Sequence, residues 1–222
     1  MKRSELNARL RRAVSFMESM QFRLPPFAFW SPEEWAEKGE ECDEIRHACL
    51  GWDVTDFGSG DFMKCGLLLF TVRNGVANST AYPKPYAEKI MLVEEGQVTP
   101  YHFHHYKQED IINRGGGKLL IKLYNSTEDE ALADTEVTVS VDGQVRKLPA
   151  GSIVTLLPGE SITLTQGLYH TFWAEDGAVL AGEVSMTNDD FTDNRFLEET
   201  GRFPEVEEDE APLYLLANEY HK

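Results

Sequence analysis

Two short stretches carry side chains that could hold a metal ion. In residues 96–116 (G-Q-V-T-P-Y-H-F-H-H-Y-K-Q-E-D-I-I-N-R-G-G), His102 and His104 stand two positions apart. Side chains on a strand alternate, so both imidazoles would share a face. Glu109 follows after a short turn and can return a carboxylate to that face. His170, in G-L-Y-H-T-F-W, offers a third imidazole. Imidazoles and a carboxylate together suit a divalent first-row metal. His105 adjoins the pair, so residue type alone leaves open which two of the three neighbouring histidines ligate.

A five- or six-coordinate cation held by three His and one Glu keeps open positions, where it can act as a Lewis acid on vicinal oxygens. Such chemistry needs groups that move protons. Lys107 sits between His104 and Glu109, and Lys89 leads the preceding apolar strand. Glu183 lies in A-G-E-V-S, whose small and apolar neighbours point to burial; a buried Glu beside a cation can serve as a general base. Asp190, Asp193 and Arg195 follow in N-D-D-F-T-D-N-R-F and are expected to contact a substrate.

These groups need a scaffold that brings distant stretches together. Short apolar or alternating runs at 67–72, 89–93, 119–124, 136–141, 152–157, 161–165, 169–173 and 179–185 read as strands. Asp142-Gly143 reads as a hairpin turn, and Gly115-Gly116-Gly117 as another turn. Many short strands with regular turns indicate an antiparallel sandwich or closed barrel. The first 51 residues read differently, as a short helical arm. Leu6, Leu10, Val14 and Met17 recur at helical spacing over residues 4–20, with Ser4 as the expected N-cap. Ser31-Pro32-Glu33-Glu34 has the form of a capping box, with Gly39 expected to end that helix, and a third helical piece is expected over 41–50. The reading is one domain: arm 1–51, barrel 52–200, and an acidic then apolar tail 201–222.

Composition narrows the partners. With 21 basic and 38 acidic residues, the net charge of −17 argues against a nucleic-acid backbone and against an anionic membrane surface. A neutral ligand or a cation suits it better. Cys42, Cys49 and Cys65 are too few and too spaced for a disulfide framework. No apolar run reaches membrane-spanning length and no signal peptide is visible, so a cytoplasmic protein is expected. Gly115–Gly117 with Lys118 lacks the Ser/Thr and the following helix of a phosphate loop. The acidic run 205–210 reads as solvated. The apolar face of the first helix and residues 213–216 suggest a homodimer.

The spacing around the histidines resembles a known pattern. Gly96, five residues, H-x-H, four residues, Glu109, six residues and Gly116 reproduce the first motif of the cupin family. A looser second motif runs from Gly151 to His170; its turn is longer, and Ala174 stands where an Asn is frequent. Tyr106 to Gly117, Gly167 to Trp173 and Gly58-Ser59-Gly60-Asp61-Phe62 together resemble the D-lyxose ketol-isomerase family over nearly the whole chain. That resemblance implies an all-β cupin barrel (a double-stranded β-helix, or jelly roll). It implies a manganese-dependent aldose–ketose isomerase, with D-lyxose and D-xylulose as one substrate pair and D-mannose and D-fructose as another. It carries the metal ligands over to His102, His104, Glu109 and His170, and the acid–base roles to Lys107 and Glu183, through a cis-enediol or a hydride shift. It also favours a homodimer. Two other classes would use the same ligands: an Fe(II)-dependent cupin oxygenase, which oxygen consumption would reveal, and a non-catalytic sugar-binding cupin, against which Lys107 and Glu183 speak.

Overall fold

The computed structural model describes residues 1–201 and 205–220. Residues 202–204 and 221–222 of the expected tail lie outside them. Three α-helices come first: α1 (Arg3–Ser19), α2 (Pro32–Ala36) and α3 (Asp43–His47). The strands are β1 (Gly51–Thr55), β2 (Leu67–Arg73), β3 (Tyr86–Val93), β4 (His102–His104), β5 (Glu109–Asn125), β6 (Val137–Val141), β7 (Gln144–Leu148), β8 (Ile153–Leu156), β9 (Ser161–Leu164), β10 (Leu168–Met186) and β11 (Asn194–Phe196). They form one antiparallel sheet in the order β1-β2-β3-β10-β5-β9-β6-β7, with β4 on β10, β11 on β4 and β8 on β5. Leu67 and Leu69 of β2 share a core with Val137 of β6, Val154 of β8 and Ile162 of β9. Strands far apart in the order meet there, so the sheet is rolled around its own inner face, as the all-β barrel reading expects.

The two long strands organise the roll. β5 and β10 pair from Asn125 and Leu168 at one end to Glu109 and Ser185 at the other, with irregularities at Glu175/Val179 and Leu180/Ala181. Bulges bend a strand and shift its alternation. On β10, Phe172 and Ala174 face the core before the first irregularity, and Val179 and Ala181 after it. The inward set therefore passes from even to odd numbers. Asp176 (φ 59°) and Gly177 (φ 111°) supply the left-handed corner.

This corrects the reading of the glycine run as a turn. Gly115, Gly116 and Gly117 lie inside β5, and a Cβ on Gly116 would come 2.1 Å from the Ala178 carbonyl oxygen. Glycine serves close backbone approach there, not a reversal. The runs 169–173 and 179–185 are one bent strand, and β1, where Trp52 and Val54 alternate with Asp53 and Thr55, was not read as a strand. Asp142 (φ 50°) and Gly143 (φ 77°) do make the β6–β7 hairpin turn.

The arm docks on the outer face of the sheet. Leu6, Leu10, Ala13 and Met17 bury against Trp52, Val54, Phe70 and Ile90, and Leu216 joins the same cluster. Full burial of a Leu or Met side chain is worth about 1.5–3 kcal/mol. Both apolar segments that suggested a homodimer are thus covered within one chain. The N-cap falls two residues earlier than expected, at Lys2, and Ser4 instead donates its N–H and Oγ–H to Asp209. Ser31 and Glu34 form the expected capping box, but α2 stops at Ala36, short of Gly39. The third helical piece is a short 3-10 turn, Glu40–Cys42, followed by α3. The acidic run is not simply solvated. Glu208 and Glu219 bracket the buried Arg3 guanidinium at 2.6 Å each, and Asn7 donates to Glu210. Carboxylates gathered at the start of α1 also complement its dipole. The three cysteines are free.

Candidate active site

β4 runs antiparallel to β10, with His102 opposite His170. Alternation then puts His102 and His104 on one face, and His170 joins them from the neighbouring strand. One ring nitrogen from each lies within 4.8 Å of the others. His105 alternates outward, is exposed, and packs its ring edge-on against Phe103. At the mouth of β5, Glu109 Oε1 lies 3.4 Å from His104 Nε2 and 3.3 Å from His170 Nε2.

The ring chemistry fits a metal. His102 Nδ1 lies 2.9 Å from the Pro100 carbonyl and His170 Nδ1 lies 3.0 Å from the Leu168 carbonyl. A carbonyl only accepts, so in both rings Nδ1 carries a proton and Nε2 is the atom turned toward the cluster. That is how ligating histidines are oriented. Burial, with His170 and His104 beside it, holds the His102 pKa well below the usual imidazole value. Burial and Lys107 lower that of His104. Neutral imidazoles are the ligating form.

A row of alternating charge leads away from the histidines. Lys107 Nζ donates to Glu109 Oε2 at 2.8 Å and to Glu183 Oε1 at 2.9 Å. Lys89 Nζ lies 3.7 Å from the same Glu183 oxygen and 3.6 Å from Asp190 Oδ1. The order is Glu109, Lys107, Glu183, Lys89, Asp190. Burial opposes the Lys107 charge, but Glu109 and Glu183 outweigh it and raise the ammonium pKa well above its ordinary value. Burial also opposes ionisation of Glu109, but Lys107 and His104 outweigh it and hold that carboxyl well below the carboxylate range. Ser185 Oγ donates to Glu183 Oε1 at 3.0 Å. All three contacts thus fall on Oε1, and Oε2 takes none of them.

These groups line one cavity of about 500 Å³, counted with its mouth, together with apolar Leu67, Leu69, Met91 and Phe196. Of the loop residues singled out in sequence, Asp190 lines it and two do not. Asp193 is buried behind the 105–107 turn, where its carboxylate accepts the Tyr106 and Lys107 N–H groups at 2.6 and 3.1 Å. Arg195 alternates outward on β11, and its Nε donates to Glu130 Oε2 at 2.6 Å. Its neighbours Asn194 and Phe196, opposite His104 and His102, face the cavity instead.

The whole chain carries a shared signature. The family described as D-lyxose isomerase matches residues 1–220. The chain belongs to the D-lyxose isomerase family. A D-lyxose/D-mannose isomerase of Serratia proteamaculans is 50% identical over 223 residues, covering 99% of this chain and 98% of that one. One from Escherichia coli O157:H7 is 49% identical over 225 residues, covering 100% and 99%. Family membership makes this chain an aldose–ketose isomerase. The fold has more distant likenesses: an L-ribose isomerase of Cellulomonas parahominis, solved with L-ribose, superposes with a TM-score of 0.61 at 16% identity over 93% of this chain and 98% of that one. The rolled sheet is therefore the cupin barrel of sugar isomerases.

Beside the two lysines, sequence reasoning passed over Asn188. Its Oδ1 accepts from Lys89 Nζ at 2.7 Å and from Lys107 Nζ at 3.1 Å. The buried Asn74 side chain clamps the Asn188 backbone, accepting its N–H at 2.9 Å and donating to its carbonyl at 3.0 Å. Amides in turns carry no spacing signal. The only hint was that Asn188 opens the N-D-D loop.

Proposed function

We propose that this chain interconverts D-lyxose with D-xylulose and D-mannose with D-fructose, with a divalent cation, Mn²⁺, held by His102, His104, Glu109 and His170. The observation that carries the reading is the contact chain from Glu109 through Lys107 to Glu183, beside three clustered imidazoles, in a member of this family. The names of the two relatives, at about half identity over their full lengths, support the sugar pair. When bound, the cation supplies Lewis acidity that eases removal of a proton α to a carbonyl.

Glu183 is the base in this reading. Its Oε2 takes the proton from C2 of the open-chain aldose while O1 gains one from the Lys107 ammonium, giving a cis-enediol. The same carboxyl returns its proton to C1 as the O2 hydroxyl gives its own back to Lys107 and becomes the ketose carbonyl. Lys107 attends the two oxygens. An ammonium has three donors, and Glu109, Glu183 and Asn188 engage all three. A sugar oxygen therefore reaches Lys107 by displacing Asn188, the neutral and longest-held acceptor. Lys89, with one short hydrogen bond and two looser ion pairs, is freer to meet a hydroxyl, and Asp190 beside it can accept one. The apolar wall shields the enediol from water. A homodimer, which the family resemblance favours, and a cytoplasmic location complete the proposal.

The test is Glu183→Gln, which keeps shape and removes basicity. Metal content and sugar binding should stay near those of the parent chain, and turnover of D-lyxose in Mn²⁺-loaded protein should fall by roughly 10²- to 10⁴-fold. Turnover near the parent rate would show that the base lies elsewhere, and Asp190, on the same cavity, would be the next candidate.

A further inference from the structure

The charge row ends at Asp190, and a second hollow adjoins that residue. Asp190 also lines a second recess of about 440 Å³, counted with its mouth, whose wall includes Asp53, Thr71, Phe191 and Asn218. Strand alternation joins the two spaces. Leu67, Leu69 and Thr71 follow one another on one face of β2; the first two line the histidine cavity and the third lines the recess. Asp53 stands opposite Leu69 on β1, and Lys89 opposite Thr71 on β3. A chain-like ligand laid along this wall from the histidines meets Glu183, then Lys89 and Asp190, then Thr71 and Asp53. Along that path the wall changes from aliphatic to hydroxyl, carboxylate and carboxamide. Phe191, 78% exposed, stands at the rim.

We propose that this recess is the distal subsite of the isomerase, and that Thr71 and Asp53 receive the terminal hydroxymethyl group that a hexose has and a pentose lacks. The inference rests on the reading that C1 and C2 react beside Glu183. From there, contacts of 3.7 and 3.6 Å lead through Lys89 to Asp190. Three C–C bonds of about 1.5 Å each carry a pentose from C2 to C5, about as far as Lys89. A fourth bond carries a hexose on toward Asp190 and the recess that it lines. The polar outer wall is then what allows one site to accept both chain lengths.

The experiment compares kcat/KM for D-mannose and D-lyxose in the parent chain, in Thr71→Leu, which fills the recess, and in Thr71→Val, which removes only the hydroxyl. The mannose-to-lyxose ratio is expected to fall by about ten-fold or more in Thr71→Leu, and by less in Thr71→Val, because a pocket discriminates one added carbon on that order. Should Thr71→Leu not fold, Thr71→Val and Asp53→Asn read the same ratio. A ratio within two-fold of the parent in the folded variants, whatever the absolute rates, overturns the subsite and leaves the isomerase reading intact. A parent chain that converts neither sugar overturns the isomerase reading and the subsite with it.

Discussion

At the scale of the residue, the site is a problem of which side chains face inward. His102, His104, Glu109 and His170 were legible because period two and the spacing of the motif act on short stretches. His105 could not be set aside by type; only its outward alternation and exposure do that. The difference is measurable. His104→Ala is expected to lose most of the metal bound by Mn²⁺-loaded protein, and His105→Ala to keep it, by elemental analysis of the purified variants. The opposite pattern would mean that the ligand register is shifted by one. Lys107 and Glu183 were singled out as groups able to move protons, but their mutual contact was not legible, because it joins residues 76 positions apart. Arg195 and Asp193 were selected by charge. Charge does not say which face a residue takes, and one turned to Glu130 while the other turned to the backbone of the 105–107 turn.

At the scale of the element, the errors share a cause. Three consecutive glycines read as a turn because glycine permits one, yet here the need is space. β5 and β10 approach at Gly116 so closely that a side chain would meet the Ala178 carbonyl. Gly116 (φ 98°) and Gly159 (φ 98°) have the same backbone angle, but a Cβ on Gly159 would meet nothing within 4 Å. Both alanine variants should incur the dihedral cost of about 1–3 kcal/mol. Gly116→Ala should add a clash, so its Tm is expected to fall further than that of Gly159→Ala by several degrees. Equal Tm values would mean that the strands part without cost. β1 was missed for a different reason. Trp52 and Val54 alternate with Asp53 and Thr55, but the run is only five residues long and directly follows the helical arm, and its polar side is buried as well.

At the scale of the molecule, both chain ends are tied to one another and to the barrel's outer face. Arg3, 1% exposed, is held by Glu219 at 7% and Glu208 at 55%. The Glu208 contact is half in solvent and contributes little. The Glu219 contact is buried, and removing one member of a buried pair costs about 3–5 kcal/mol because the other is left uncompensated. Arg3→Ala is expected to lose stability on that order in denaturant unfolding, and the double variant Arg3→Met with Glu219→Leu to recover most of it. A loss confined to a few tenths of a kcal/mol would mean that Glu219 finds water when Arg3 is gone. The fold class was legible from the count and spacing of strands. The tie was not, because an acidic run shows no sequence sign of the single arginine, more than 200 positions away, that it meets.

The corner at Asp176 and Gly177 has a consequence for how this chain can change length. His170 and Glu183 are thirteen positions apart on one strand, an odd interval that strict alternation would send to opposite faces. They share the interior because the corner resets the phase between them. A single-residue insertion or deletion at the corner undoes that reset, turning Glu183 out of the barrel and bringing Gly182, after an insertion, or Val184, after a deletion, into its place. A change of two residues leaves both halves in step. Related chains whose lengths differ at this corner should therefore differ by even numbers, and an odd difference should come with a compensating bulge elsewhere on the strand.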